Sequence, residues 1–263
     1  MNYTILIVMI LTFIITLIGT LAYAVRIVGV STGKIAVSFA LFNILVLISR
    51  TAITIQSPLL TKYVETSESF SIINSFYLII ISAGIATIVG AFCVPTFQRV
   101  LSKWVVKFSD ERSVPKVLVH SFSKSGVRQF KDCVKRPAIS NISKLNIRNL
   151  PTNILVFNVV VVTIQTVATL APIYAGIIEP DLRATCLSLV GLINGLATIL
   201  LFVYIYPYLS IKTDDVIDGK CTEIEFRQCI VGMIGTKVLG TFLSLLLLVP
   251  ASYFIVEVAR LIP

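Results

Sequence analysis

Residues 3–25 read YTILIVMILTFIITLIGTLAYAV, 23 consecutive positions without a charge. A helix rising about 1.5 Å per residue crosses a hydrocarbon core of about 30 Å in some 20 such residues. The run is apolar all round, without the alternation of a membrane barrel strand. Its Ala22-Tyr23-Ala24 ending has the form of a signal-peptidase site. No Lys or Arg precedes it, however, and it is longer than a signal core, so a retained helix is expected.

Working outward, five further stretches satisfy the same length: Ile35–Ile55, Phe70–Val94, Ile154–Ile178, Ala184–Tyr206 and Cys229–Val256. The whole chain is 56% apolar and 13% charged, against about 45–50% and 25% in soluble domains. The expected class is an all-α polytopic membrane protein with six transmembrane helices. Three helices fall in residues 1–97 and three in 153–263, separated by a basic connection over 98–152.

The net charge of +9 is a matter of position. Gln98–Thr152 holds 12 of the 22 basic residues and three acidic ones, so its own balance is +9. Under the positive-inside rule this segment is cytoplasmic, and six helices then place both termini outside. The Arg26–Lys34 turn and the Lys212–Arg227 loop fall inside as well, leaving Lys62, Arg183 and Arg260 outside. Within the connection, His120, Lys124, Arg128, Lys131 and Lys135 share one helical face, with Phe122, Val127, Phe130 and Val134 beside it. That pattern predicts a basic amphipathic helix lying on anionic membrane lipids. Nucleic acid is a poor partner, because no aromatic reading motif accompanies the charge.

Catalytic chemistry is thinly represented. The single histidine, His120, stands without a G-x-S-x-G elbow. None of the five cysteines forms a metal-ligand spacing, so neither a metal nor a cofactor is called for. The turn Gly29-Val30-Ser31-Thr32-Gly33-Lys34 is one residue short of a nucleotide phosphate loop and follows no strand. A flexible hairpin with topogenic charge accounts for it, and so does a lipid-phosphate contact through Lys34.

Small residues recur every four positions at Gly232, Thr236, Gly240 and Ser244, at Gly191 and Gly195, and at Ala83, Thr87 and Ala91. That spacing lets helices approach closely. Asn158 and Gln165 on the fourth span and Asn194 on the fifth are either interhelical glue or the lining of a polar path. Arg50 and Lys237 are the two basic residues inside spans, and an intramembrane ion is a functional candidate by default. For Arg50 the competing reading is snorkelling to the outer surface. Thr20-Leu21-Ala22, Ser38 and Asn43 are echoed by Thr169-Leu170-Ala171, Ser188 and Asn194, which suggests two inverted three-helix repeats.

Several longer runs carry a family likeness. Leu21-Ala22-Tyr23-Ala24-Val25-Arg26-Ile27-Val28-Gly29-Val30 with Thr32-Gly33-Lys34, Ile48-Ser49-Arg50-Thr51, Gln56-Ser57-Pro58-Leu59-Leu60, Pro95-Thr96-Phe97-Gln98-Arg99, Arg183-Ala184-Thr185, Ile193-Asn194-Gly195-Leu196-Ala197-Thr198 and Gly240-Thr241-Phe242 together resemble the Amj family of bacterial lipid II flippases. The resemblance spans nearly the whole chain. It implies a multi-pass protein of the bacterial cytoplasmic membrane that moves undecaprenyl-pyrophosphate-linked disaccharide-pentapeptide to the outer leaflet for peptidoglycan synthesis. It also implies an activity interchangeable with that of the larger flippase MurJ.

Basic positions within the matched runs then become candidate pyrophosphate contacts: Arg26, Lys34, Arg50, Arg99 and Arg183, with Lys237 added from its depth. Asn158, Gln165 and Asn194 are the candidate polar path, and no residue is assigned a catalytic role. A homodimer is expected, because six helices are few to enclose so large a headgroup. On residues alone two other classes stay open. A secondary transporter of a small anionic solute would need mid-membrane coupling carboxylates, and none is evident. A membrane-bound enzyme of polyprenyl-phosphate metabolism would need paired acidic motifs, for which Asp214-Asp215 is a weak start.

Overall fold

The computed structural model of the chain describes residues 3–66, 69–111 and 152–262. The expected amphipathic helix at His120–Lys135 lies outside the described residues. Among those described, the chain is helical, and the helices are α1 (Tyr3–Thr32), α2 (Ile35–Thr66), α3 (Ser69–Glu111), α4 (Thr152–Val167), α5 (Leu170–Ile178), α6 (Arg183–Leu200), α7 (Tyr206–Ile217) and α8 (Glu223–Leu261). One π-helical turn, Leu201–Ile205, joins α6 to α7, and a 3₁₀ turn, Pro180–Leu182, precedes α6. Among the described residues, four continuous helices and the α6–α7 rod are each long and apolar enough to cross a membrane, and the bent α4–α5 pair, counted as one span, brings the number to six.

The helices outrun the apolar stretches that predict them. Hydropathy falls at Arg26, but nothing breaks the backbone there. α1 continues until Gly33, whose φ of 67° ends it in the left-handed region open to glycine. Likewise α3 runs past Val94 to Glu111, a 43-residue helix roughly 65 Å long, so the start of the basic connection is a helical extension. The fourth crossing breaks instead of running through. α4 and α5 meet at 52° around Ala168 and Thr169. Pro172 has no N–H to offer the carbonyl four residues earlier, which lies at that break.

Helix α1 lies at the centre, packed along both α2 and α3, while α2 and α3 touch little. The second half repeats the arrangement: α8 lies along α4 and α5, α6 leans on the same bent pair, and α6 and α8 touch little. Two apolar clusters hold the ends of the bundle. One gathers Ile5, Leu60, Phe76, Ile173 and Ile255 at the end carrying both termini. The other gathers Ile27, Val161, Ile205, Phe226 and Ile230 at the opposite end, beside the α1–α2 turn and the α7–α8 loop. Outward-facing Leu47, Leu196, Phe202, Leu246 and Phe254 are more than half exposed, as suits a lipid-facing surface.

Small residues let α4 and α8 approach closely. A Cβ on Gly240 would lie 2.8 Å from the Val159 carbonyl oxygen. Thr163 Oγ1 donates to the Gly240 carbonyl at 3.1 Å across the same interface. Thr87 and Ser244 are fully buried. Gly191 and Gly195 differ, since a Cβ there would meet open space.

Candidate functional site: a cationic cavity between the helices

Between the two clusters the helices part around a cavity of about 210 Å³. Among the described residues, three cations line it, Arg26 from α1, Arg50 from α2 and Lys237 from α8, and no Asp or Glu does. Thr12, Thr16, Gln165, Thr166, Thr169 and Asn194 supply neutral polar groups.

Arg26 is the most constrained of the three. It is only 4% exposed, although its place in the sequence reads as a turn. Its guanidinium carbon stands 5.2, 5.1 and 5.3 Å from the ring centres of Phe39, Phe42 and Tyr206. Nη1 is buried and has no hydrogen-bond partner among the described residues. Three rings at such distances each contribute about 0.5–2 kcal/mol. Burying an ion without a counter-charge costs several kcal/mol and leaves its donors wanting an acceptor. The Ser49 hydroxyl, which also lines the cavity, is buried and likewise without a partner among the described residues. A buried guanidinium donor left without a partner is complementary to an oxyanion.

Arg50 directs Nη2 to Thr198 Oγ1 of α6 at 3.1 Å. It stands 15 residues past Ile35 in a helix that continues to Thr66, so it lies roughly 22 Å from either end. That depth works against snorkelling, whose reach suits residues near a helix end. Lys237 stands 14 residues past Glu223, roughly 21 Å along α8. Its Nζ lies 5.7 Å from the Tyr23 ring centre. Gly19 makes room for it, since a Cβ there would sit 3.2 Å from Nζ. Arg26, six residues before Thr32, is only about 9 Å from its own helix end. The cations therefore form a stagger of roughly 12 Å along the bundle.

Polar bonds tie the wall together. Gln56 Nε2 donates to Thr12 Oγ1 at 2.9 Å, joining α2 to α1. Asn194 Nδ2 donates to the Val190 carbonyl at 3.1 Å and reaches Thr169 Oγ1, at the α4–α5 break, at 3.5 Å.

Of the residues that the sequence singles out, Arg26, Arg50, Lys237, Gln165 and Asn194 meet at this cavity. Asn158 does not. It is fully buried between α4 and α8, donating to the Met233 carbonyl at 3.0 Å and to Thr236 Oγ1 at 2.8 Å, which is an interhelical tie. Lys34 stands in the α1–α2 turn and Arg99 on an exposed face of α3. Arg183 faces Glu65 at 3.9 Å, at the end carrying the termini. Sequence reasoning misses the aromatic cage of Phe39, Phe42 and Tyr206, along with Tyr23, Ser49 and Thr198. No local spacing brings these residues together; α1, α2, α6 and α7 do so only when they assemble.

The family model described as "Alternate to MurJ" matches residues 11–259, a range that includes every residue of this cavity. The chain belongs to the Amj family. An Amj protein of Bacillus subtilis (strain 168), named lipid II flippase Amj, is 32% identical over 242 residues, which is 90% of either chain. No solved structure matches the chain.

Proposed function

We propose that this Amj-family chain carries lipid II across the bacterial cytoplasmic membrane, as the name of its Bacillus subtilis relative states for that protein. The observation that carries the reading is the cavity's charge among the described residues: three cations, no carboxylate, and a buried Arg26 donor with nothing to receive it. A lipid-linked pyrophosphate is doubly anionic and must be shielded from hydrocarbon while its tail stays there. Staggered cations offer successive stations, and their number lets each bind weakly enough to release. At about 210 Å³ the cavity suits a phosphate group better than a sugar-peptide. Sites enclosing drug-sized ligands run to about 300–1,000 Å³. Moving the headgroup therefore requires the helices to part. Lys34, Arg99 and Arg183 would serve as flanking contacts at the two surfaces. The reading makes the chain a transporter and assigns it no catalysis.

Orientation follows charge, with the termini outside and the 98–152 connection in the cytoplasm, where its basic residues meet anionic lipids. The like pairing of helices in the two halves supports inverted repeats moving against one another about the cavity. A second copy would widen the enclosure, and native mass measurement in mild detergent would show a dimer. The direct test is genetic. Expressed in cells stripped of every other lipid II flippase, the chain should sustain growth. Lysis despite normal membrane expression would remove the proposal.

A further inference from the structure

Helices α2 and α6 face one another across the cavity, yet they do not pack along each other. Among the described residues, three bridges join α2 to the α6–α7 rod along this seam. Near the α1–α2 turn, the Phe42 and Tyr206 rings meet edge-on at 5.6 Å. At mid-depth, Arg50 donates to Thr198. At the far end, Arg183 faces Glu65. Where α1 meets α3 and α4 meets α8, by contrast, the helices pack along each other. Here the wall is latched by rings and polar side chains, and Leu47 and Ile48 of α2 and Leu196 and Ile199 of α6 are exposed outward on its two flanks.

Taking the flippase reading as given, we infer that the α2–α6 seam is the lateral slot through which the substrate's long hydrocarbon tail stays in the bilayer while its phosphates occupy the cavity. A cavity walled on all sides by packed helices would have to strip the lipid from the membrane. An unpacked seam spares that cost, because the tail never leaves hydrocarbon. The bridges are at three levels, so a headgroup moving along the cavity need break only the one beside it. Arg50 would serve two roles in turn. Its Nη2 holds Thr198 when the slot is shut, and an arriving phosphate, a stronger acceptor than a neutral hydroxyl, draws the guanidinium away. Substrate binding would thus unlatch the seam at the level where the substrate sits.

The test reads access to the cavity and needs no transport. In a background with Cys93, Cys133, Cys186, Cys221 and Cys229 replaced by serine, Ser49→Cys places one thiol in the cavity wall. Thr16→Cys serves as an independent second site. The purified chain in liposomes is treated with a maleimide carried on a phospholipid acyl chain, or with a sulfonated, water-soluble maleimide. We expect the lipid-borne reagent to modify both sites. Thr198→Val, which removes the acceptor and keeps Arg50, should speed that reaction about fivefold, the population shift that loss of one hydrogen bond allows. Modification by the water-soluble reagent alone, or a lipid-phase rate unaffected by Thr198→Val, would overturn the slot. If both thiols react from the bilayer but the parent chain moves no lipid II, the slot stands and the flippase reading falls.

Discussion

Replacing Arg26 with methionine should make the protein more stable and unable to transport. Arg26 is 4% exposed and its guanidinium touches three aromatic rings; among the described residues no carboxylate lines its cavity and nothing satisfies Nη1. Its removal forfeits cation–π contacts of about 0.5–2 kcal/mol each. Methionine, similar in length, recovers about 0.3–1.5 kcal/mol per ring through its sulfur. The change also relieves the several kcal/mol that an unpaired buried ion costs. The balance is a gain of about 1–3 kcal/mol, within the range seen when buried charges give way to apolar residues of like volume. At about 2–4 °C per kcal/mol for a chain of this size, Tm should rise by about 2–12 °C. Cys186 and Cys229 are buried, so a thiol-reactive dye reports unfolding in detergent as they become exposed. Transport by the same preparation should fall to background. A lower Tm with transport intact would show that Arg26 is a structural clamp for its aromatic neighbours, and the anion-site reading would fail.

Arg50→Lys should impair transport nearly as much as Arg50→Ala, because lysine keeps the charge but loses the two-pronged grip on phosphate; parent-like growth of the lysine variant in flippase-depleted cells would refute this. Asn158→Leu should lower stability by about 1–3 kcal/mol, measured by thermal unfolding, since it removes both ties to α8. Gly240→Ala should cost about 1–3 kcal/mol as its methyl meets the Val159 carbonyl, whereas Gly191→Ala, facing open space, should gain up to about 1 kcal/mol. Cysteines placed at Ser113 or Ser125 should react with an impermeant reagent only from the cytoplasmic side, and labelling of intact cells from outside would reverse the proposed orientation.

The crossings were legible because a bilayer imposes a crude length and polarity rule that a single segment must satisfy alone. Where helices end was not, because hydropathy falls at Arg26 while α1 runs on to Gly33, and falls after Val94 while α3 runs on through Pro95. Arg50 and Lys237 announce themselves as ions in apolar runs. Arg26 instead sits at the edge of such a run and reads as a topogenic charge, since its burial depends on rings from α2 and the start of α7. The amides show the same limit. Asn158 and Gln165 look alike on one helix, yet the first is tied to α8 and the second faces the cavity. Which way each turns is decided by neighbouring helices.

The most direct measurement is translocation of purified lipid II in proteoliposomes holding the purified chain, read by an enzyme or a reagent that reaches one leaflet only. The account predicts movement of lipid II by the parent, and loss of it in Arg26→Met and Arg50→Lys when each is folded and reconstituted to the same level. No movement by the parent, or movement undiminished in both variants, would contradict a cationic cavity that carries the lipid's pyrophosphate.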